Sequence, residues 1–418
     1  MKHASLLVAI AVILLPFSVC AREWTDKTGA FHVEAELVFL KDGKVYLEKN
    51  DGKVIGVPLS ALCKTDILYL TSLSKYKDYF AANPIPDQPL ESGSAPSSGF
   101  TPPAVITLQV SDPSKVGEVR RFGNLGWAVN SLAFSPNGQF LAVGKMDRAL
   151  IVYDLNKSAR VAFIEDLDGL GQVTSLAFAP DGKKLLSGGY SGRIQVWSVD
   201  ADGGLEEANR FVGHSRAVHS ITVSKDGQYV LSGGDEKIAR CWTLADAREQ
   251  FAIDGFANSV KATFITPAAK QALACDGKTI ALIDIRQAKA IQTMELGYGG
   301  RQAVAIATDG SRVVTNNAYT LQSWDIKSGK GYPVLQDQEI QWFATFHTRS
   351  KYLLSGGRGK VNLWDVENHR KVYEFDTAGS GYVKSIAVSP DNRHFAAIPG
   401  SAGQELQVFR MPAVVEDQ

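Results

Sequence analysis

The chain has 418 residues, of which 45% are hydrophobic and 21% are charged. This composition is typical of a globular protein and excludes a disordered or membrane-embedded chain, and the length predicts more than one domain. Lys and Arg together number 44, as do Asp and Glu, so no overall field of one sign favours nucleic acid or anionic lipid. We therefore predict no nucleic-acid partner.

The first 21 residues have the pattern of a secretory signal peptide. A basic start precedes an apolar run from Ala4 to Val19, and small residues then place cleavage after Ala21. We therefore predict a secreted or periplasmic protein. The run includes a proline and is shorter than the about 20 residues that a bilayer needs. An uncleaved anchor and lipidation of Cys20 are the alternatives, and membrane contact is expected only through such an N-terminus.

Cleavage leaves Cys63, Cys241 and Cys275, which are widely spaced and form no C-x-x-C pair. An odd number of cysteines without paired spacing predicts neither a disulfide framework nor a zinc site. Cys241 and Cys275 fall within predicted strands, where a buried thiol is expected.

The sequence of residues 22–77 predicts a small β domain. Short alternating apolar runs are separated by Asp-Gly turns, a pattern that predicts a β-meander, and a short helix is predicted near Ile67 to Leu70. The alternating positions of the longest run are Phe31, Val33, Ala35, Leu37 and Phe39.

Residues 78–115 have the composition of a linker. Seven of the sixteen prolines of the chain fall between Asn83 and Pro113, mixed with Ser and Gly. Such a segment cannot bury a core, so we predict a semi-extended tether between two folded parts.

Residues 116–412 contain a repeated unit with a spacing of 40 to 45 residues. Each unit has an alternating strand, a turn such as Pro180-Asp181-Gly182, a second strand ending in small residues and a third ending in an aromatic residue. A fourth strand comes from the stretch before the next unit. The seven units begin at Val129, Val173, Val218, Val260, Arg301, Gln341 and Val383. We predict an all-β protein whose main domain is a seven-bladed β-propeller.

The last unit ends near Met411 without a fourth strand of its own. The segment from Gly117 to Phe122 resembles the outer strand from Ala208 to Val212, so we predict that it completes the seventh blade. Residues 413–418 are then a short tail.

The third unit resembles a WD repeat most fully, because Gly213-His214 precedes its first strand and Trp242 ends its third. The resemblance to the WD-repeat family covers residues 116–411. It implies a hydrogen-bonded network of His, Ser or Thr, Asp and Trp in each blade. Since Glu236 stands where the family has Asp, we expect the network only in part, as His214, Ser232 and Trp242. The other blades are expected to depend on apolar packing.

Residues 22–73 resemble the first homology domain of the yeast endocytic adaptor Sla-one, a small SH3-like β fold also found in exported bacterial proteins. The residues that carry the resemblance are Trp24-Thr25-Asp26, Gly29, Val57-Pro58-Leu59 and Asp66. The family implies binding of a short Asn-Pro-Phe-x-Asp type of peptide in its eukaryotic member. Asn83-Pro84-Ile85-Pro86-Asp87 in the linker is similar to that ligand, with a chance match as the alternative.

One rim of the propeller is expected to bind partner proteins. In WD-type propellers the loops that enter each blade and the turns after each second strand lie on one rim, and aromatic residues and Arg there have the composition of an interface hot spot. The candidate residues are Trp127, Tyr190, Arg216, Phe256, Tyr298, Arg358 and Tyr382. The alternative for these rings is packing between neighbouring blades.

No catalytic motif has its required context, so we predict no catalytic, cofactor-binding or metal-binding residues. The segment Gly213 to Ala217 approximates a nucleophile elbow, but that motif needs a strand-to-helix turn in an α/β sheet. We predict a non-catalytic scaffold or adaptor whose partners are other proteins or short peptides. The alternative is an exported propeller enzyme, a hydrolase or lactonase-like protein with a metal in the axial channel.

Overall fold

The computed structural model of the chain divides into two compact units, Met1–Gln88 and Pro89–Gln418. It describes residues 22–25, 32–41, 44–49, 54–62, 70, 105, 115–123, 125, 129–165, 167, 169–296, 304–317, 319–337, 340–341, 343–347, 350–400 and 405–415. The predicted signal peptide and nearly all of the predicted linker lie outside these ranges, and the domain boundaries stay predictions. Within these ranges no helix is long and apolar enough to cross a membrane.

The first unit is built on a four-stranded antiparallel sheet in which each strand pairs with the next. Its strands are β1 (Arg22–Thr25), β2 (His32–Lys41), β3 (Lys44–Lys49) and β4 (Val54–Pro58). A single 3-10 turn, Leu59–Ala61, follows the sheet. The predicted meander is therefore present. Most of the predicted short helix lies outside the described residues.

The long strand β2 changes its buried face along its length. An uninterrupted alternation would place Val33 and Leu40 on opposite faces, yet both are buried in one core with Val45 and Leu47. The register with β3 shifts between Leu37 and Phe39, and a β-bulge of this kind reverses the faces beyond it. The bulge therefore lets Val33 and Leu40 share one core.

The second unit consists of seven four-stranded antiparallel sheets. Blades 1 to 3 contain β6 (Val129–Phe134), β7 (Phe140–Lys145), β8 (Leu150–Asp154), β9 (Ala159–Ile164), β10 (Val173–Phe178), β11 (Lys184–Gly189), β12 (Ile194–Val199), β13 (Leu205–Phe211), β14 (Val218–Val223), β15 (Tyr229–Gly234), β16 (Ala239–Thr243) and β17 (Glu249–Ile253). Blades 4 and 5 contain β18 (Ala262–Ile265), β19 (Gln271–Cys275), β20 (Thr279–Asp284), β21 (Lys289–Glu295), β22 (Val304–Ile306), β23 (Arg312–Asn317), β24 (Thr320–Asp325) and β25 (Leu335–Gln336). Blades 6 and 7 contain β26 (Phe343–Phe346), β27 (Tyr352–Gly356), β28 (Lys360–Asp365), β29 (Arg370–Asp376), β30 (Ser385–Val388), β31 (His394–Ile398) and β32 (Leu406–Arg410).

The seventh blade is completed by β5 (Gly117–Phe122), a strand from the start of the propeller. It pairs antiparallel with β32, so that Phe122 lies opposite Leu406 and Gly117 opposite Arg410. The inner strands also form a closed ring, because each contacts the inner strand of the next blade and β30 contacts β6. The predicted fold class, blade number and closing strand are confirmed.

Seven apolar cores lie between neighbouring blades, one at each junction. They form because alternate residues of a strand face opposite sides of its sheet. In β7, for example, Leu141 and Val143 pack towards blade 7, whereas Phe140 and Ala142 pack towards blade 2. A strand that is buried on both faces has a nearly continuous apolar sequence. β7 is such a strand, since every residue from Phe140 to Lys145 is buried.

Candidate protein-binding rim and its supporting network

One face of the propeller brings two sets of segments together, and we call them the rim. They are the turns between the second and third strands of each blade and the loops that enter each first strand. The Ser191 hydroxyl in a turn donates to the Gly169 carbonyl in a loop at 2.8 Å. The Ser259 hydroxyl in a loop donates to Asp235 in a turn at 2.7 Å. The predicted juxtaposition of the two sets is therefore present.

The rim residues predicted from the sequence have different environments. Tyr190 is 60% exposed, Arg216 and Arg358 are also exposed, and Tyr382 is half-buried. Arg358 pairs with Tyr382 through a backbone bridge, and its Nε donates to the Ser380 carbonyl at 3.0 Å. Trp127 and Tyr298 lie outside the described residues.

Phe256 does not belong to the exposed rim. Its side chain is 6% exposed and packs in the apolar core between blades 3 and 4, together with Val260 and Phe251. Burying a phenylalanine side chain contributes about 1.5–3 kcal/mol, which anchors its loop rather than presenting the ring to a partner. The prediction of Phe256 as a binding residue is wrong for this reason.

Blade 3 contains a polar network that begins in the core and ends on the rim. The indole N–H of Trp242 donates to the Ser232 hydroxyl at 2.8 Å, and that oxygen lies 2.6 Å from Nε2 of His214. On the other side of the imidazole, Nδ1 lies 2.6 Å from Oε1 of Glu236. We assign the imidazole proton to Nδ1, which faces the carboxylate, so that Nε2 accepts from Ser232.

Glu236 therefore completes the network that the sequence predicted only in part. Its carboxylate also accepts from Arg240 Nε at 2.7 Å and from the Ser215 amide at 3.0 Å. Arg240 in turn contacts Glu249 at 2.8 Å. Burial opposes ionisation of Glu236, but the bonds from His214, Arg240 and Ser215 outweigh it and hold the pKa of this carboxyl well below its usual range.

Three further blades contain the tryptophan part of this network. The indole N–H groups of Trp197, Trp324 and Trp364 donate to hydroxyls on the second strand of their own blade. The partners are Ser187 at 2.9 Å, Thr315 at 3.1 Å and Ser355 at 2.8 Å. The expectation that these blades depend on apolar packing alone is wrong. A Ser or Thr nine or ten residues before each Trp is the sequence signal that predicts the bond.

In blade 6 a glutamine takes the role that His214 has in blade 3. The Ser355 hydroxyl donates to Oε1 of Gln341 at 2.6 Å, and Gln341 is fully buried. An amide oxygen accepts the serine proton as the imidazole nitrogen does in blade 3, so the Trp364 bond remains part of a longer network.

The alternative of a metal-dependent enzyme needs a convergent set of ligands. Within the described ranges, no group of three or more His, Cys, Asp or Glu side chains comes together to hold a metal ion. Burial raises the pKa of the Cys241 and Cys275 thiols to about 12, so neither is a reactive thiolate near neutral pH.

Two family models match the chain. Residues 16–77 match SLA1 homology domain 1, and residues 118–154, 164–198 and 206–243 match the WD domain, G-beta repeat. The second model covers the closing strand and the first three blades, where the repeat signal is clearest. Both resemblances drawn from the sequence are thereby supported.

Curated relatives match parts of the chain. The U3 small nucleolar RNA-associated protein 15 homolog of Xenopus tropicalis is 25% identical over 222 residues, which are 52% of this chain and 42% of that protein. The corresponding Gallus gallus protein is 23% identical over 288 residues, 66% of this chain and 52% of that protein. WD repeat-containing protein 1 of Gallus gallus is 30% identical over 130 residues, 31% of this chain and 21% of that protein. The chain thus spans about half or less of the length of these relatives.

The predicted secreted or periplasmic location is wrong. Relatives that match over 219 to 288 residues are named for association with a small nucleolar RNA, and they are eukaryotic. The SLA1 homology match also begins at residue 16, inside the apolar run that was interpreted as a signal peptide. These comparisons give no support to an exported bacterial type of protein or to the exclusion of nucleic acid.

None of the relatives reported above has a name that supports the enzyme alternative. Sheet topology and the family matches agree on the architecture. The chain therefore carries an SLA1 homology domain 1 followed by a seven-bladed β-propeller of WD repeats.

Proposed function

We propose that this protein is a non-catalytic scaffold that binds partner proteins through the propeller rim. The observation that carries the proposal is that turns and loops from neighbouring blades pack against one another and leave Tyr190, Arg216 and Arg358 exposed on one face. Aromatic and Arg side chains on a rigid surface are the usual anchors of protein interfaces. Tyr382 contributes a half-buried ring to the same face.

The test is photo-crosslinking from single positions of the full chain in its native cells. A photoreactive residue replaces Tyr190 or Arg358 on the rim, and Ile291 on the outer strand β21, which is 43% exposed, is the matched control. We expect the two rim positions to capture a shared set of proteins that position 291 does not capture. Identical sets at all three positions, or no protein at the rim positions, would contradict the proposal.

The SLA1 homology domain 1 is proposed as a second contact, with a short peptide of the Asn-Pro-Phe-x-Asp type. The family match over residues 16–77 supports this assignment. Two weak sites on one chain gain avidity when the tether between them spans both. A fluorescent Asn-Pro-Phe-x-Asp peptide should bind the full chain, and its Ala-Pro-Ala-x-Ala counterpart should not. Equal binding of the two peptides would refute this part.

A further inference from the structure

Two adjacent segments of the rim carry two exposed apolar side chains and two exposed arginines. The turn of blade 2 carries Tyr190 and Arg193, and the loop that enters blade 3 carries Val212 and Arg216. Val212 and Tyr190 are 61% and 60% exposed, the highest values among the large hydrophobic residues of the described chain. We call these four residues the blade 2–3 patch.

The two segments touch each other directly. At Gly192, an added Cβ would lie 2.4 Å from the carbonyl oxygen of His214 and 3.0 Å from that of Arg216. The turn therefore packs backbone against backbone on the loop, which only glycine permits at this distance, and φ at Gly192 is also positive at 90°. The turn and the loop are consequently held together as one packed unit.

The arginines of the patch have no counter-charge within the described residues. Arg193 and Arg216 are exposed, and neither makes an ion pair with a described carboxylate. Glu165, an exposed acid in the loop that enters blade 2, makes no ion pair with either of them within the described residues. Asp166 and Asp168 of that loop lie outside the described residues.

The carboxylates of the neighbouring turn are engaged by other groups. Asp235 accepts hydrogen bonds from His219 at 2.6 Å and from Ser259 at 2.7 Å. Glu236 is held by His214, Arg240 and the amide of Ser215. These acids hold the loops in place, so the positive charge of the patch remains available to a partner.

The blade 3 network holds the loop that carries Arg216. His214 lies two residues before Arg216 and is fixed through Ser232 to Trp242 in the core. Ser215 is fixed by two hydrogen bonds to Glu236, one from its amide and one from its hydroxyl, each 3.0 Å long. A partner therefore meets an ordered loop and loses less entropy on binding than with a mobile one.

We propose that the blade 2–3 patch docks an acidic segment of a partner protein, with an apolar side chain on Tyr190 and Val212 and carboxylates on Arg193 and Arg216. The inference rests on the proposed function and adds the chemistry of the partner. Arginine pairs with carboxylates through two parallel hydrogen bonds. An acidic protein segment fits better than nucleic acid, because a base can stack on the Tyr190 ring but finds no such partner in the aliphatic Val212.

The test measures fluorescence anisotropy of three probes with the full chain. The probes are a peptide with one leucine between two runs of three glutamates, the same peptide with lysines, and an oligouridine of twelve nucleotides. We expect the glutamate peptide to bind more tightly than the other two. Arg193→Glu together with Arg216→Glu should weaken its binding at least about tenfold. Arg210→Glu, on the outer strand β13 of blade 2, is the matched control and should have little effect.

A second comparison separates a positioning role of the network from a general loss of stability. Ser232→Ala removes the bond that fixes His214, whereas Ser187→Ala removes only a tryptophan bond in blade 2. We expect Ser232→Ala to weaken binding of the glutamate peptide about threefold or more, and Ser187→Ala to leave it unchanged, with both variants folded by circular dichroism.

Several results would overturn the inference. These are failure of the glutamate peptide to bind, equal affinity in wild type and the double arginine variant, and tighter binding of oligouridine that the double variant abolishes. If crosslinking from Tyr190 still captures proteins in these cases, the rim remains a binding surface and only the acidic chemistry is wrong. If crosslinking captures none, the proposed function itself fails.

Discussion

Blades 3 and 7 have the same four-stranded architecture but fill the equivalent position on the third strand with different residues. Trp242 in blade 3 and Phe409 in blade 7 lie on the third strand of their blades and are both 1% exposed. Trp242 bonds to a serine hydroxyl, whereas Phe409 stacks on Phe395 with ring centroids 4.9 Å apart. The position equivalent to Ser232 in blade 7 is Ala397, which offers no acceptor.

The same relation extends around the ring. Blades with Ser or Thr at this place on the second strand have Trp on the third, because a buried indole N–H needs an acceptor. Blades with Val143, Ala274 or Ala397 there have a tyrosine, an isoleucine or a phenylalanine instead. The comparison shows that a Trp with a hydroxyl partner and another residue beside Val or Ala can each fill this position. A Trp beside Val or Ala would leave its indole N–H without an acceptor.

The largest expected effect concerns the closing strand of blade 7. Deletion of residues 116–124 exposes the edge of β32 and removes Phe122 from the core between blades 7 and 1. We expect loss of cooperative unfolding of the propeller, measured by calorimetry. Arg121→Ala, an exposed change on the same strand, is the control and should cost no more than about 1 kcal/mol. An unchanged melting temperature after the deletion would show that β5 does not close the ring.

A graded effect is expected from removing the serine hydroxyls. Ser232→Ala leaves the indole N–H of Trp242 and Nε2 of His214 without a partner and should lower the free energy of unfolding by about 2–3 kcal/mol. Ser187→Ala leaves only Trp197 unpaired and should cost about 1–2 kcal/mol. Urea unfolding of both variants measures the difference. Equal losses would mean that His214 contributes nothing to the network.

The pH dependence of stability should report the ionised network of blade 3. The folded-state pKa of Glu236 lies below its unfolded value, so its contribution is present above the unfolded pKa of about 4.3 and is lost as pH falls further. Glu236→Gln should therefore cost about 1–2 kcal/mol at pH 7 and progressively less below about pH 4. Urea unfolding across this range is the measurement, with the exposed Glu206→Gln as control. A difference that is constant with pH would exclude the ionised pair.

The smallest effect is on the reactivity of a thiol. Cys241 neighbours Trp242 on β16, is fully buried and has a pKa raised to about 12 by burial. Labelling with a thiol reagent at pH 8, followed by peptide mass spectrometry, should be slow in the native protein and faster in Ser232→Ala. Cys275 in blade 4 is the internal reference and should not change. Rapid native labelling of Cys241 would mean that blade 3 opens easily.

Much of the architecture follows from local signals in the chain. The turn at Pro180-Asp181-Gly182 forms as predicted, with φ of 71° at Gly182 and its amide bonded to Ala179 at 2.9 Å. Repetition of this pattern sets the blade number, and the similarity of two outer strands identifies the closing strand. The candidate rim was only partly predictable, because exposure in a loop depends on what packs beneath it, as Phe256 shows.

The sequence by itself determined the repeat, its four strands and the place of the missing strand. Tertiary structure alone decided that β2 carries a bulge, that Phe256 faces the core and that the longer side chain of Glu236 reaches His214 and Arg240. The physical reason is the separation along the chain of the residues that interact. Turns and strand alternation arise from neighbours in the chain, whereas burial and ion pairing depend on segments that only folding brings together.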